Sequence, residues 1–349
     1  MPHRTSDRRE PMLALPSMAS FHPTVDNGYR PRLYAIDTMG IGTGWTPDGM
    51  DRLEGTTFVI TGATSGTGFE AVRILLGKGA DVLMLNRDEE KTRATMKLLH
   101  AEFGSEAPLS AVTMDLSDLN SVRGAGEKVN SMVERIDGLI CNAGIAQTPR
   151  RTLTANGFEV QMGTNHLGHF LLARLLFDRL AASKGRIVVV SSLGYKMGTR
   201  TINFDDLSSK KKYNPNAAYS QSKLAQMMFA YELQDRLSGT DHEVEVYVCH
   251  PGASKTSLIK TNGSRLTRAI WGFMTLLPIV QSAEKGAYPS VMCATRIGLE
   301  QRALYGPTGL LNWVGAVGGN ELEPHAHDKK TMQRLWHLSE ELTECTWPL

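Results

Sequence analysis

Tyr219 and Lys223 stand four residues apart in Tyr219-Ser220-Gln221-Ser222-Lys223. On a helix that spacing puts a phenol and an ammonium on one face, one turn apart. A cation beside a phenol favours the phenolate and lowers its pKa from about 10. Such a phenol can give and take a proton near neutral pH. By itself the spacing also describes an ordinary exposed pair. Its surroundings narrow the reading. Ser191-Ser192 ends the apolar run Ile187-Val188-Val189-Val190, so a hydroxyl stands at the C-terminal edge of a buried strand. Asn165 is a polar side chain within an otherwise apolar helical stretch.

A second chemical group lies near the start of the alternating region. Phe58-Val59-Ile60 reads as a strand covered on both faces, and Gly62, Gly66 and Gly68 follow at once. Apolar residues at 69, 72, 75 and 76 then show helical spacing. A strand turning tightly into a helix presents unpaired backbone N–H groups and a helix dipole to an anion. Glycine lets that backbone approach a pyrophosphate with no Cβ in the way. The turn Gly62-Ala63-Thr64-Ser65-Gly66-Thr67-Gly68 is therefore a dinucleotide-site candidate, although ordinary tight turns also use glycine.

From Gly55 onward strands and helices alternate. Strands are expected at 81–86, 111–114, 138–141, 186–190 and 244–248, and helices at 89–103, 119–133, within 158–180 and at 219–237. This order implies an α/β fold with one doubly wound, Rossmann-type parallel sheet flanked by helices. Ligands in such sheets bind at the strand C-termini, near the reversal of strand order. The second strand ends in Asn86-Arg87-Asp88. A basic residue there suits a ribose 2′-phosphate and an acid suits a free 2′-hydroxyl, so Arg87 favours NADP(H) over NAD(H), with Asp88 the opposing signal. Asp115-Leu116 and Cys141-Asn142-Ala143-Gly144 follow the third and fourth strands. Asp115 can bond the adenine amino group or cap a helix, and Ala143 and Gly144 let the backbone lie against an adenosine or simply turn.

Taken in order, T-G-A-T-S-G-T-G, D-L, C-N-A-G, Asn165, Ser192, Y-S-Q-S-K and His250-Pro251-Gly252 with Thr256 resemble the short-chain dehydrogenase/reductase family over about residues 55–260. The insert Asn203-Phe204-Asp205-Asp206-Leu207 resembles the retinol-dehydrogenase-like branch. The resemblance implies Tyr219 as general acid/base and Lys223 as the residue that lowers its pKa and holds the nicotinamide ribose. It implies Ser192 on the substrate oxygen, Ser191 in a structural role, and Asn165 positioning a water for a proton relay with Lys223. Pro251, Gly252 and Thr256 would seat the nicotinamide carboxamide. The family motif N-N-A-G departs here in its first position, where Cys141 replaces Asn; the sheet-stabilising side chain is the one at Asn142.

Composition sets the outer limits. The chain has 349 residues, a net charge of +2 and 21% charged residues, without the basic bias of a nucleic-acid binder. Its four scattered cysteines, with no CxxC, fit a reducing compartment and no zinc site, and no metal is expected. The histidines at 166, 169 and 250 read as packing or polar filler. Residues 1–50 carry six of the fifteen prolines and read as a loosely ordered extension without a secretory core, leaving organellar targeting open. Residues 51–349 form the expected catalytic domain, with an apolar substrate lid at about 253–280. The apolar run at 270–280 is too short to span a bilayer and holds Pro278, so no transmembrane segment is expected, though weak membrane-surface contact is compatible. The expectation is a cytoplasmic, NADP(H)-dependent oxidoreductase for a lipophilic ketone, aldehyde or alcohol, as a homodimer or homotetramer. The competing class is a redox-silent NADP(H)-binding regulator on the same fold.

Overall fold

The computed structural model describes residues 44–254 and 280–349. Thr256 and most of the expected lid lie outside the described residues. The strands are β1 Thr57–Thr61, β2 Asp81–Asn86, β3 Leu109–Thr113, β4 Gly138–Cys141, β5 Arg186–Val190, β6 Glu245–Cys249, β7 Leu304–Pro307 and β8 Val317–Asn320. They form one sheet in the order β3-β2-β1-β4-β5-β6-β7-β8, parallel except for the antiparallel β7–β8 pair. The reversal of order falls between β1 and β4. This is the expected doubly wound sheet, and each central strand is an apolar run buried on both faces.

The helices are α1 Gly66–Gly77, α2 Glu89–Phe103, α3 Leu119–Met132, α4 Gly168–Leu175, α5 Phe177–Ser183, α6 Pro215–Leu237, α7 Ala283–Thr295 and α8 Lys329–Thr343. One apolar cluster joins α1, α2 and α7 to a sheet face; the other joins α3, α4, α6 and α8 to the opposite face. Asp88 caps α2 by accepting from Lys91 N, and Gly104 at φ +99° ends it. α6 begins four residues before the expected Tyr219, because Asn214 accepts from Asn216 N and Ala217 N and Pro215 follows. The expected 158–180 helix is broken: Met162–Leu167 is a π turn, and α4 and α5 follow. Residues before 51 also join this body, since Lys78 Nζ donates to Asp48 O and Met50 O and Trp45 meets Tyr288 edge-on.

α8 and the residues after it close the second face. Phe170 is fully buried, with ring centroids 5.2 Å from Phe229, 5.2 Å from Trp336 and 5.8 Å from Trp347. His166 Nε2 donates to Ser339 Oγ at 2.8 Å, tying the π turn to α8. Among the described residues no helix is long and apolar enough to cross a membrane. Replacing Phe170 by Ala empties the centre of this aromatic cluster and is expected to lower stability by about 3–5 kcal/mol. The check is the midpoint of chemical denaturation against the wild type.

Candidate active site

The turn after β1 is shaped by close approach. Gly62 sits at φ +68° and Gly66 at φ +59°, a region that favours glycine. A Cβ on Gly68 would lie 2.3 Å from Gly62 O, and one on Gly62 would lie 2.9 Å from Ala143 Cα. Asn142, from the loop after β4, donates Nδ2 to Thr61 O and Gly62 O and accepts from Thr67 Oγ1 at 3.0 Å. So the turn and the first strand beyond the reversal are stitched together by the side chain at 142, as the motif implied. Asn86, buried at the end of β2, accepts from Ala63 N at 2.7 Å, while its Nδ2 has no protein partner. Thr64 and Ser65 sit at the tip of this turn.

Around it, Asp115 Oδ1 accepts from both the N and Oγ of Ser117, leaving Oδ2 3.8 Å from the exposed Arg87 guanidinium. Leu116 is buried, and its carbonyl sits where a Cβ on Gly168 would fall. Asp88, besides capping α2, pairs with Lys91 Nζ at 2.8 Å. That carboxylate, the signal against Arg87, is thus already engaged with its own helix.

At the C-terminal edge of β5 and β6 the second cluster assembles. Ser192 Oγ accepts from Gly194 N at 3.0 Å, and the Ser192 side chain acts to lower the Tyr219 phenol. The Tyr219 ring lies against Gly194, where a Cβ would sit 2.7 Å from Cε1. Ser191 Oγ donates to Lys223 O, in keeping with a structural role. Lys223 is buried; its Nζ donates to Val190 O at 3.1 Å and Gln226 Oε1 at 2.8 Å, and lies 6.0 Å from the Tyr219 ring centroid.

The Tyr219 phenol lies above its ordinary value in this structure: burial, the largest influence, raises it, and the Ser192 side chain lowers it. The Lys223 ammonium donates to two protein acceptors, and burial pushes it down to about 8. The Asn165 side chain is tied into the fold through both of its polar atoms. Its Oδ1 accepts from Ile145 N, and its Nδ2 donates to Ile145 O and Ser222 Oγ. The side chain fastens the loop holding Gly144 to α6.

A histidine completes the connection. Ala143 N donates to Thr61 Oγ1, whose hydroxyl donates to His169 Nε2 at 2.9 Å, and His169 Nδ1 donates to Asn165 O at 2.9 Å. Burial pushes His169 down to about 4, so the neutral ring that this chain of bonds requires is the stable form. His250 plays a similar part beside Pro251 and Gly252. Its Nδ1 accepts from Gly252 N and its Nε2 donates to Asn320 Oδ1 on β8, both at 3.1 Å. Gly252, at φ +62°, would drive a Cβ to 2.3 Å from Trp313 O. Among the described residues no cluster of three or more metal-ligating side chains occurs. The sequence reading treated His169 and His250 as filler and did not single out Gln226, Thr61 or Asn320. The position of Gln226, three after Lys223 on one helix face, was the available signal.

Residues 56–266 match the family model of the short chain dehydrogenases. Retinol dehydrogenase 12 from Homo sapiens is 37% identical over 298 residues, covering 85% of this chain and 89% of its own. Retinol dehydrogenase 13 from Homo sapiens is 38% identical over 296 residues, covering 83% and 85%. The crystal structure of an uncharacterised protein from Mycobacterium paratuberculosis matches with a TM-score of 0.72 and 35% identity, over 88% of this chain and all (100%) of that one. The chain belongs to the short-chain dehydrogenase family of oxidoreductases. Within it, the chain falls in the retinol-dehydrogenase-like branch.

The buried lysine leaves a thermodynamic signature. Above its folded value of about 8 the native ammonium has lost its proton, whereas the unfolded chain keeps it until the ordinary 10.5. Between those values the unfolded state binds more protons, so stability rises with pH, by about 3 kcal/mol across the window. Unfolding free energies of the ligand-free wild type and Lys223→Met, measured from pH 7 to 11, are expected to diverge in that direction and to run parallel below pH 7.5 (roughly, from the same linkage).

Proposed function

We propose that the protein is an NADP(H)-dependent oxidoreductase that interconverts a ketone or aldehyde and an alcohol on a lipophilic small molecule, with Tyr219 moving the proton. The observation that carries this reading is one of position. A serine, a phenol and a buried ammonium meet at the C-terminal edge of β5, beside a glycine cradle at the reversal of strand order. The residues fit a dinucleotide. Glycine at 62 and 68 lets the turn close against Ala143, Gly62 O and Asn142, and the buried Asn86 Nδ2 at the end of β2 has no protein acceptor. Gly62, Thr64, Ser65, Gly66, Thr67 and Gly68 would hold the pyrophosphate; Asp115, Leu116, Asn142, Ala143 and Gly144 the adenosine side; Lys223, Pro251, Gly252 and Thr256 the nicotinamide end. When bound, the nicotinamide supplies or accepts the hydride.

The chain's own groups supply the rest. Gly194 N fixes the Ser192 hydroxyl, which can then donate to the substrate oxygen. Tyr219, beside Ser192, delivers a proton to that oxygen in reduction and removes it in oxidation. The exposed Met197 just beyond this loop offers apolar surface to a lipophilic substrate. The names of the two human relatives point the same way, since retinol is a lipophilic alcohol. Arg87 supports NADP(H), now that Asp88 is engaged in capping. A redox-silent binder would have no use for a buried ammonium beside a phenol.

The test is nicotinamide oxidation, followed by absorbance, against a panel of lipophilic aldehydes and ketones. Turnover with NADPH is expected, falling by about 10²–10⁴-fold in Tyr219→Phe while the NADPH-induced rise in melting temperature persists. Wild-type inactivity across the panel, despite that thermal shift, would favour the regulator. Arg87→Asp is expected to move the NADPH-to-NADH preference in kcat/KM toward NADH by about tenfold or more. An unchanged ratio would remove Arg87 from the 2′-phosphate site.

A further inference from the structure

We infer that Gln226 is a positioning residue for Lys223: its neutral amide oxygen holds the buried ammonium without cancelling the charge that the site uses. The inference rests on the proposed reading of Tyr219 and Lys223. Its starting point is geometric. Gln226 is buried on α6, one helical turn after Lys223, and its Oε1 accepts from Lys223 Nζ at 2.8 Å. The other fixed acceptor is Val190 O at 3.1 Å. Gly144 lies on another side of the nitrogen: a Cβ there would be 3.4 Å from Lys223 Nζ and 3.3 Å from Asn165 Oδ1.

The other half of the amide is left unsatisfied. Gln226 Nε2 is buried and has no hydrogen-bond partner among the described residues. A half-satisfied buried amide is unfavourable, and an apolar side chain of the same size would avoid the penalty. The oxygen is what the chain gains there. A carboxylate in the same place would hold Lys223 more tightly, but would neutralise it. Among the described residues Lys223 forms no ion pair, and the titratable groups acting on or near it are Tyr219 on its own helix, His169 of α4 and Cys249 of β6. The amide thus fixes the ammonium and leaves its field directed at the phenol.

Two variants separate this role from simple packing. Gln226→Met keeps the volume and removes the acceptor; Gln226→Glu keeps the acceptor and adds a counter-charge. In Gln226→Met the KM for NADPH is expected to rise about fivefold or more, because Lys223 loses its anchor. In Gln226→Glu the KM should stay within about twofold, while kcat falls and the alkaline limb of the kcat profile for reduction moves to higher pH. The limb moves that way because a paired ammonium no longer favours the phenolate. A second readout needs neither cofactor nor substrate: the pH window in which Lys223 changes folding stability. That window should begin lower in Gln226→Met and higher in Gln226→Glu, each by about one pH unit. Opposite shifts support the assignment even where the wild type shows no turnover, an outcome that overturns only the proposed reaction. Unmoved windows, shifts of the same sign, or a Gln226→Met enzyme with wild-type KM and kcat would overturn the role of Gln226.

Discussion

The physical constraint on which the site depends is a lysine ammonium sealed inside the protein. Burial disfavours the charged form and pushes Lys223 down to about 8. Two acceptors are built around its ammonium. Those come from different elements: the last carbonyl of β5 at Val190 and the amide of Gln226 on α6. α6 must therefore lie against the edge of β5, and it does so as a helix buried nearly all round. A helix with no solvent face needs cover on its far side, which α8 and the Trp336–Trp347 cluster supply. The aromatic packing at the C-terminal end and the chemistry at the sheet edge are two sides of one helix.

The opposite wall of the site is governed by contact distance. The turn after β1 closes on itself until only hydrogen fits at Gly68, and Asn142 bonds two successive carbonyls of that turn. Both walls meet through neutral groups. Thr61, His169 and Asn165 form a continuous run of hydrogen bonds from the end of β1 to the π turn, and Asn165 continues to Ser222 on α6. The π turn serves this geometry: the widened helix between α6 and the loop after β4 carries the residue whose amide reaches both.

Much of this was legible in the sequence. β2, α2, β4 and β5 match their expected limits at both ends, because apolar runs are bounded by Gly, Asp or Arg and because Asp88 and Gly104 are explicit cap signals. The cradle glycines, Asn142, Ser192, Tyr219 and Lys223 also come together as their order at successive strand ends requires. Other features left weaker marks. β8 is a glycine-rich run with no buried residue, so it lacks the alternation of a strand. The start of α6 is marked by Asn214-Pro215, a cap and first-turn proline that lie four residues before Tyr219. The π turn has no compositional signature. Gln226 was hidden because, in a helix buried on every side, a polar residue at one position shows no contrast with a solvent face. The phenol is a separate case. Spacing shows that an ammonium is near, whereas the direction of a titration depends on how the charge is shared and how deep the group lies.

That last point bears on how Ser192 and Tyr219 are coupled. In this structure the Ser192 hydrogen bond is the influence that favours the phenolate of Tyr219, acting against burial. On the proposed reading the same hydroxyl must also meet the substrate oxygen. Serine has one proton to donate and two lone pairs, one of them already taken by Gly194 N. When its proton is given to a substrate oxygen, it cannot at the same time be given to the phenol. Substrate binding at Ser192 therefore removes a stabiliser of the phenolate and favours the protonated phenol, the form that can donate in reduction. In the oxidative direction the arrangement must run the other way, and the phenolate then depends on the unneutralised charge of Lys223. A neutral partner for that lysine and a shared serine hydroxyl are complementary: one keeps the base accessible, the other readies the acid when a carbonyl arrives.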